Sequence, residues 1–289
     1  MLDPLQLIQI SPLLAATTGR SETVIGAIDG PVASHPDLQN TNLQTLSTAA
    51  EQGCESVTSS ACAHGTFIAG ILSASRESQA PGLCPDCSLV LRPIFCEVTP
   101  TRTQCPEVTP QDLAAAIVET VDAGVRAINL SLGLADASLL NRPELKDAFN
   151  YAFKKGVLLI AASGNQGRIG PVPLFSHPWV IPVAACDLQG RLQAGSNIGP
   201  SVGKRGLMAP GVGIVSTAAS GGYTTMSGTS VAVPFVTGTA ALLWSLFPQA
   251  TAAEIRDALL LPRVPRKSVN PPLLNAAASW RALSAPASI

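Results

Sequence analysis

The chain has 289 residues, a formal net charge of −1, and 13% charged against 46% hydrophobic side chains. So even a balance excludes a basic nucleic-acid arm or a polybasic membrane patch as its main device, and the length suits one sizeable α/β core. No apolar run reads as a transmembrane span of roughly 18 residues, and no internal repeat is visible.

In chain order, residues 1–22 read as an N-terminal extension. Its first 19 residues hold no Lys or Arg, so the charged start of a secretory signal is not written there. Residues 23–29 (TVIGAID) form a predicted apolar strand that ends on a carboxylate and is followed by Gly30-Pro31. A buried strand stopping in this way puts Asp29 at a sheet edge, where α/β folds bind ligands. Residues 40–62 are polar and read as loop. His64 opens a predicted helix over 64–75, with Phe67, Ile68, Ile71 and Leu72 as its buried stripe and Gly65, Ala69 and Gly70 allowing close packing.

A strand follows over 88–95, then a helix over 110–123 with Thr109 as cap, Pro110 in its first position and Gly124 at its end. Strands over 125–130 and 157–162 flank a helix over 141–155. A strand over 179–185 and a broken one over 206–217 come next. Residues 229–247 form a long apolar helix with Thr229 as cap and Ser230 in the first turn, where its hydroxyl and amide meet the positive end of the helix dipole. Pro234 has no N–H to donate to the Ser230 carbonyl, which loosens that turn. A helix over 251–260 precedes a tail, rich in Pro and Ser, that wraps the surface. Strands alternating with helices predict βαβ units and a parallel sheet.

Three segments carry the chemistry: Asp29 after its strand, His64 in His-Gly-Thr, and Ser230 in Gly-Thr-Ser-x-Ala-x-Pro. Singly, an Asp-Gly is usually a turn and a His-Gly-Thr means little. Together, in the order Asp, His, Ser, they supply an acid, a base and a nucleophile. Asn165 lies just past the strand over 157–162, where its amide can donate to a developing oxyanion alongside the Ser230 N–H.

On these residues the chain resembles the subtilisin-like (subtilase) serine peptidases over about residues 24–278. The resemblance implies an α/β, three-layer fold with a mostly parallel central sheet and helices on both faces. It implies a peptidase domain over 23–280 with a short tail over 281–289. It also implies that Ser131, Leu132 and Gly133 pair with an extended substrate as an added strand, and that Ala162, Ser163 and Gly164 line the pocket before the scissile bond. The chain reads either as a trimmed mature form or as a protein made without signal or prodomain. Asp37 matches a calcium position of the family, but one carboxylate is too few for a Ca²⁺ site; no metal and no cofactor are expected. His35 and His177 read as structural loop residues. The expected partner is a peptide or precursor-protein substrate, with no nucleic acid and no membrane, and the protein itself is expected to be a monomer.

There are seven cysteines. Cys54 and Cys62, Cys84 and Cys87, and Cys96 and Cys105 fall in close pairs. Local disulfides, free thiols, and a zinc site begun by Cys84-Pro-Asp-Cys87 all fit this pattern, disulfides ranking first. Cys186 reads as a small buried hydrophobe. Asp29-Gly-Pro-Val with the following His35-Pro36, the lack of a long prodomain, and the extra cysteines resemble the subtilases that mature cyanobactin-type ribosomal peptides. That implies a precursor-processing endopeptidase, cytoplasmic in location. The alternatives are a secreted, broadly degradative peptidase, a macrocyclase or transpeptidase, or an inert binding module. Ring-forming relatives carry a helical lid between the Asp and His segments; residues 40–62 leave no room for one, which favours hydrolysis.

Overall fold

A computed structural model describes residues 3–39, 41–46, 53–99, 102–132, 142–171, 177–261 and 268–285. Its apolar runs form one all-parallel sheet of seven strands: β1 (Val24–Asp29), β2 (Asn42–Thr45), β3 (Ser88–Pro93), β4 (Ala127–Leu130), β5 (Leu158–Ala162), β6 (Val180–Cys186) and β7 (Leu207–Pro210). The spatial order is β2-β3-β1-β4-β5-β6-β7. Every residue of β4, β5 and β6 is buried, as expected of parallel strands covered on both faces. From β1 the chain builds β2 and β3 on one side, then crosses to β4 on the other. In such sheets ligands bind outside the carboxyl ends of the strands where the order reverses, and β1 ends there on Asp29.

The helices are α1 (Pro4–Leu7), α2 (Ser11–Ala16), α3 (Ser60–Ser73), α4 (Pro110–Asp122), α5 (Pro143–Lys155), α6 (Pro200–Arg205), α7 (Thr229–Leu246), α8 (Ala252–Leu259) and α9 (Ala276–Ser284). α4 and α5 pack on each other and on the sheet, while α7 packs on α3 and across β4 to β7. These are the three layers implied by the family resemblance. The break expected in 206–217 separates β7 from β8 (Ile214–Thr217), which pairs antiparallel with β9 (Tyr223–Met226) in a separate hairpin ahead of α7.

Several sequence expectations change. α3 begins at Ser60, so His64 sits inside the helix and does not open it. The residues before it (Ser60, Ala61, Cys62, Ala63) are small and carry no helix breaker. The stretch read as loop also contains β2, a half-exposed edge strand whose polar alternation fits one covered face. The N-terminal extension holds two short helices, and Ile8, Ile10 and Leu13 join the main core. The tail forms α9, capped by the Asn275 side chain on Ala278 N at 2.9 Å; its run of alanines hid the helix. The Ala276 N–H donates to the Ile8 carbonyl at 2.9 Å, tying the two ends of the chain together. α7 itself has 18 residues at a mean hydropathy of 1.4, long and apolar enough to cross a membrane by that measure, contrary to the expectation. It is 89% buried inside the fold, so its apolar surface serves packing.

α3 meets the chain after β1 at Gly65, where an added Cβ would collide with the carbonyl oxygens of Gly30 and Pro31. α3 therefore lies directly on the backbone that follows β1. Gly65→Ala is expected to destabilise the fold by about 1–3 kcal/mol through overpacking, read as a lower urea midpoint at unchanged slope.

Candidate active site

The Asp29 carboxylate is almost wholly buried, and both of its close contacts fall on one oxygen. The Gly30 N–H donates to Oδ1 at 2.6 Å, and His64 Nδ1 lies 2.6 Å from the same atom. Oδ2 is buried with no hydrogen-bond partner among the described residues. A carboxylate only accepts, so Nδ1 carries the imidazole proton and Nε2 is the acceptor. Nε2 lies 3.0 Å from Ser230 Oγ. The three residues picked from the sequence thus form one continuous hydrogen-bonded line.

Hydroxyls hold α3 in this position. Thr66 Oγ1 accepts from Ala33 N at 2.9 Å and donates to the Cys62 carbonyl at 2.8 Å, joining the chain after β1 to the helix. Ser216 and Thr217 of β8 donate to the Phe67 and Thr66 carbonyls, each at 2.8 Å. Burial pulls the His64 imidazole down, but the Asp29 charge and hydrogen bond push it up, and the net shift is upward. The His64 side chain keeps 27% of its surface exposed against 4% for Asp29, so the base opens to solvent and its partner does not.

α7 begins at Thr229, with Gly228 as the cap residue at φ 151°, so Thr229 is the first helical residue and does not cap. Its two polar groups are used sideways: the N–H donates to Asn165 Oδ1 at 2.8 Å, and Oγ1 accepts from Gly164 N at 3.1 Å. Because the Asn165 oxygen faces that N–H, its Nδ2 is the end left to donate. A Cβ at Gly228 would lie 3.2 Å from Asn165 Nδ2 and 3.5 Å from Ser230 Oγ, so glycine keeps the space between amide and nucleophile clear. The Ser230 N–H belongs to the first turn, whose amides have no acceptor within the helix.

Pro234 was expected to leave the Ser230 carbonyl without its helical donor, and the structure supplies another. Ser131 Oγ donates to that carbonyl at 3.1 Å and accepts from Asn129 Nδ2 at 2.6 Å. Thr237 Oγ1 donates to Asn129 Oδ1 at 3.0 Å, returning the network to α7. Sequence reasoning passed over Asn129 and Thr237. The signal was a lone polar residue in an otherwise apolar strand, which has to find a partner when buried.

Of the residues expected to bind substrate, Ser131 and Leu132 directly follow β4 and are buried, and Gly133 lies outside the described residues. Ala162, Ser163 and Gly164 are also buried; a Cβ on Gly164 would collide with the Asn197 amide, and its φ of 96° favours glycine. His35 does not sit in a surface turn. It is buried, donating from Nε2 to the Gly222 carbonyl at 2.9 Å and accepting Asp37 N on Nδ1 at 3.1 Å. Asp37 accepts from Tyr223 Oη at 2.6 Å, a bond that holds its carboxyl below the usual carboxylate range. His177 bonds Asn150 Oδ1 at 3.1 Å and Trp179 N at 3.3 Å.

Two of the three expected cysteine pairs are bridged, Cys54–Cys62 and Cys96–Cys105, with Cα–Cα distances of 5.5 and 5.6 Å. Cys84 and Cys87 are not; both remain buried thiols. The Cys87 N–H closes a turn on the Cys84 carbonyl at 3.0 Å, and Cys87 Sγ faces Ser245 Oγ on α7 at 3.8 Å. The hydrogen bond from Cys87 and burial push the Cys84 thiol up. Cys186 is a buried thiol, pushed up to about 12 by burial and the neighbouring Asp187.

Comparison with known proteins agrees with this geometry. The chain is 37% identical over 198 residues to a thermophilic serine proteinase of Bacillus sp. (strain AK1), a match covering 68% of this chain and 45% of that longer protein. Among solved structures it superposes on the protease domain of PatA with a TM-score of 0.80 at 31% identity, covering 92% of this chain and 96% of that one. It superposes on the prenylagaramide maturation protease PagA with a TM-score of 0.81 at 29% identity, covering 96% and 99%. The subtilase family profile matches residues 20–268. The chain belongs to the subtilase family of serine endopeptidases.

Proposed function

We propose that this chain hydrolyses a peptide bond in a ribosomally made precursor peptide, with Ser230 as nucleophile, His64 as general base and acid, and Asp29 as the group that orients and charges His64. The observation that carries the reading is the continuous line Asp29–His64–Ser230 at 2.6 and 3.0 Å. Ser230 Oγ attacks the scissile carbonyl while His64 Nε2 takes its proton, then returns it to the leaving amine. Water, deprotonated by the same nitrogen, cleaves the acyl ester. Asn165 Nδ2 and the Ser230 N–H hold the oxyanion in both halves. The substrate backbone runs beside the end of β4 as an added strand.

The precursor-peptide reading is supported by likeness along nearly the whole length to PatA and to PagA, a maturation protease by name. Hydrolysis over ring closure is supported by the partly exposed His64, and by the Asp29-to-Ser60 interval, which contains no α-helix among the described residues. The two disulfides favour an oxidising compartment for the folded enzyme.

Ser230→Ala is expected to abolish both fluorophosphonate labelling and cleavage. Digestion of a peptide library by the wild type should give cuts at one motif; scattered cuts would replace processing with degradation. Asn165→Ala should lower kcat by ~10²–10³, about 3–4 kcal/mol, with little change in KM. Because neutral His64 is the working base and its proton is held more tightly than usual, the acid limb of kcat/KM should have its midpoint above the ordinary imidazole value of about 6.5. Asp29→Asn removes the charge that raises it. The limb should then move to lower pH as kcat falls about 10⁴-fold; a stationary midpoint would mean that Asp29 does not set the basicity of His64.

A further inference from the structure

One buried carboxylate has no part in the chemistry above. Glu97, 4% exposed, lies past the end of β3 and next to the Cys96–Cys105 bridge. Its two oxygens take successive backbone amides of another loop: Glu55 N donates to Oε2 at 2.7 Å and Ser56 N to Oε1 at 3.2 Å. Charge-assisted bonds of this kind offset the cost of burying the acid. Ser59 N donates to the Ser56 carbonyl at 2.9 Å, and Ser59 is the cap residue of α3, yet its side chain makes no cap bond. The start of α3 is therefore held by other means. Cys62, buried in its first turn, is bonded to Cys54, beside the two amides that Glu97 holds. The two sulfurs and the Glu97 carboxylate lie within 4.8 Å of one another. Arg102 adds a second tie, donating from Nη1 to the Glu97 carbonyl at 3.4 Å and to Glu55 Oε2 at 3.5 Å.

We propose that Glu97 is a positioning residue for His64: together with the Cys54–Cys62 bridge it fixes the first turn of α3, and so the reach of the imidazole to Asp29 and Ser230. The proposal rests on the hydrolytic reading of the triad. His64 follows Cys62 by two residues, and no side-chain cap separates it from the tethered loop. A helix start free to shift would move the ring as a unit, and a displacement of about 1 Å is enough to cost up to about a hundredfold in rate. Two groups that act on one element in series form a single unit, so their removal should not be additive.

The test compares kcat and KM on a short chromogenic peptide, normalised to active sites titrated with a fluorophosphonate so that unfolded protein is not counted. Glu97→Ala should lower kcat by between about tenfold and a hundredfold with KM changed less than about twofold. Glu97→Gln, which keeps one carbonyl acceptor for an amide, should recover part of the loss. Cys54→Ser with Cys62→Ser should lower kcat by a similar factor, and adding Glu97→Ala to that pair should lower it no further. Glu97→Ala with wild-type kcat per titrated site, or losses that multiply in the combined variant, would overturn the proposal. A wild-type chain that neither labels nor cleaves would instead sink the hydrolytic reading itself.

Discussion

The site depends on α3 lying against bare backbone. Asp29 sits where a buried parallel strand stops, and a side chain there cannot move toward a partner. The partner has to come to it. His64 reaches Asp29 Oδ1 at 2.6 Å because the next residue, Gly65, puts no atom between α3 and the Gly30 and Pro31 carbonyls. Thr66, Ser216 and Thr217 then spend their hydroxyls on carbonyls of α3 or on the chain beside it, fixing the depth and rotation of the helix. The small residues around His64 are thus a geometric requirement of the acid–base pair, and the polar ones keep the approach from sliding.

A comparable compensation operates at the nucleophile. Pro234 deprives the Ser230 carbonyl of the donor that an unbroken helix would supply. Left unpaired and buried, that oxygen would cost roughly 1–3 kcal/mol and leave the first turn free to deform. Ser131 takes the place of the missing donor, and Asn129 and Thr237 fix the orientation of Ser131. The turn stays open at its amides, where an oxyanion would be held, and is closed at its carbonyl. A regular helix start has both properties; Pro234 removes the second, and a hydroxyl just past β4 restores it.

The catalytic constellation was legible because each member sits at a boundary that leaves a sequence signal: a strand ending in Asp-Gly-Pro, a His in a run of small residues, a Ser entering an apolar helix. The parallel sheet was equally legible, since strands buried on both faces read as continuous apolar runs. What escaped depends on partners distant in sequence. β2 is polar on its open face and is a strand only because β3 lies beside it. α9 is a run of alanines that says little until Ile8 and Leu274 give it a core to face. His35 looked like a turn residue, and is buried only because the β8–β9 hairpin closes over it through Gly222 and Tyr223. Cysteine spacing separated bridged from unbridged pairs poorly, because Cys84 and Cys87 are both buried and the Cys87 thiol faces Ser245, a contact made across 158 residues.

The uneven exposure of the acid–base pair has a chemical consequence. A base that is buried as deeply as its carboxylate partner would lose its charged form to desolvation, and with it the ability to hold the serine proton during attack. A fully exposed pair would be screened toward the small values of surface ion pairs. Here the carboxylate is kept dry and aims its charge through one oxygen, while the imidazole keeps an open edge where substrate and water arrive. Asp29 therefore acts on His64 at low dielectric without sealing it, and the opposing effects on the imidazole settle in favour of protonation. The same open edge that lets a peptide reach Ser230 lets water reach the acyl ester, so the protection given to the acid and the exposure given to the base are two parts of one hydrolytic design.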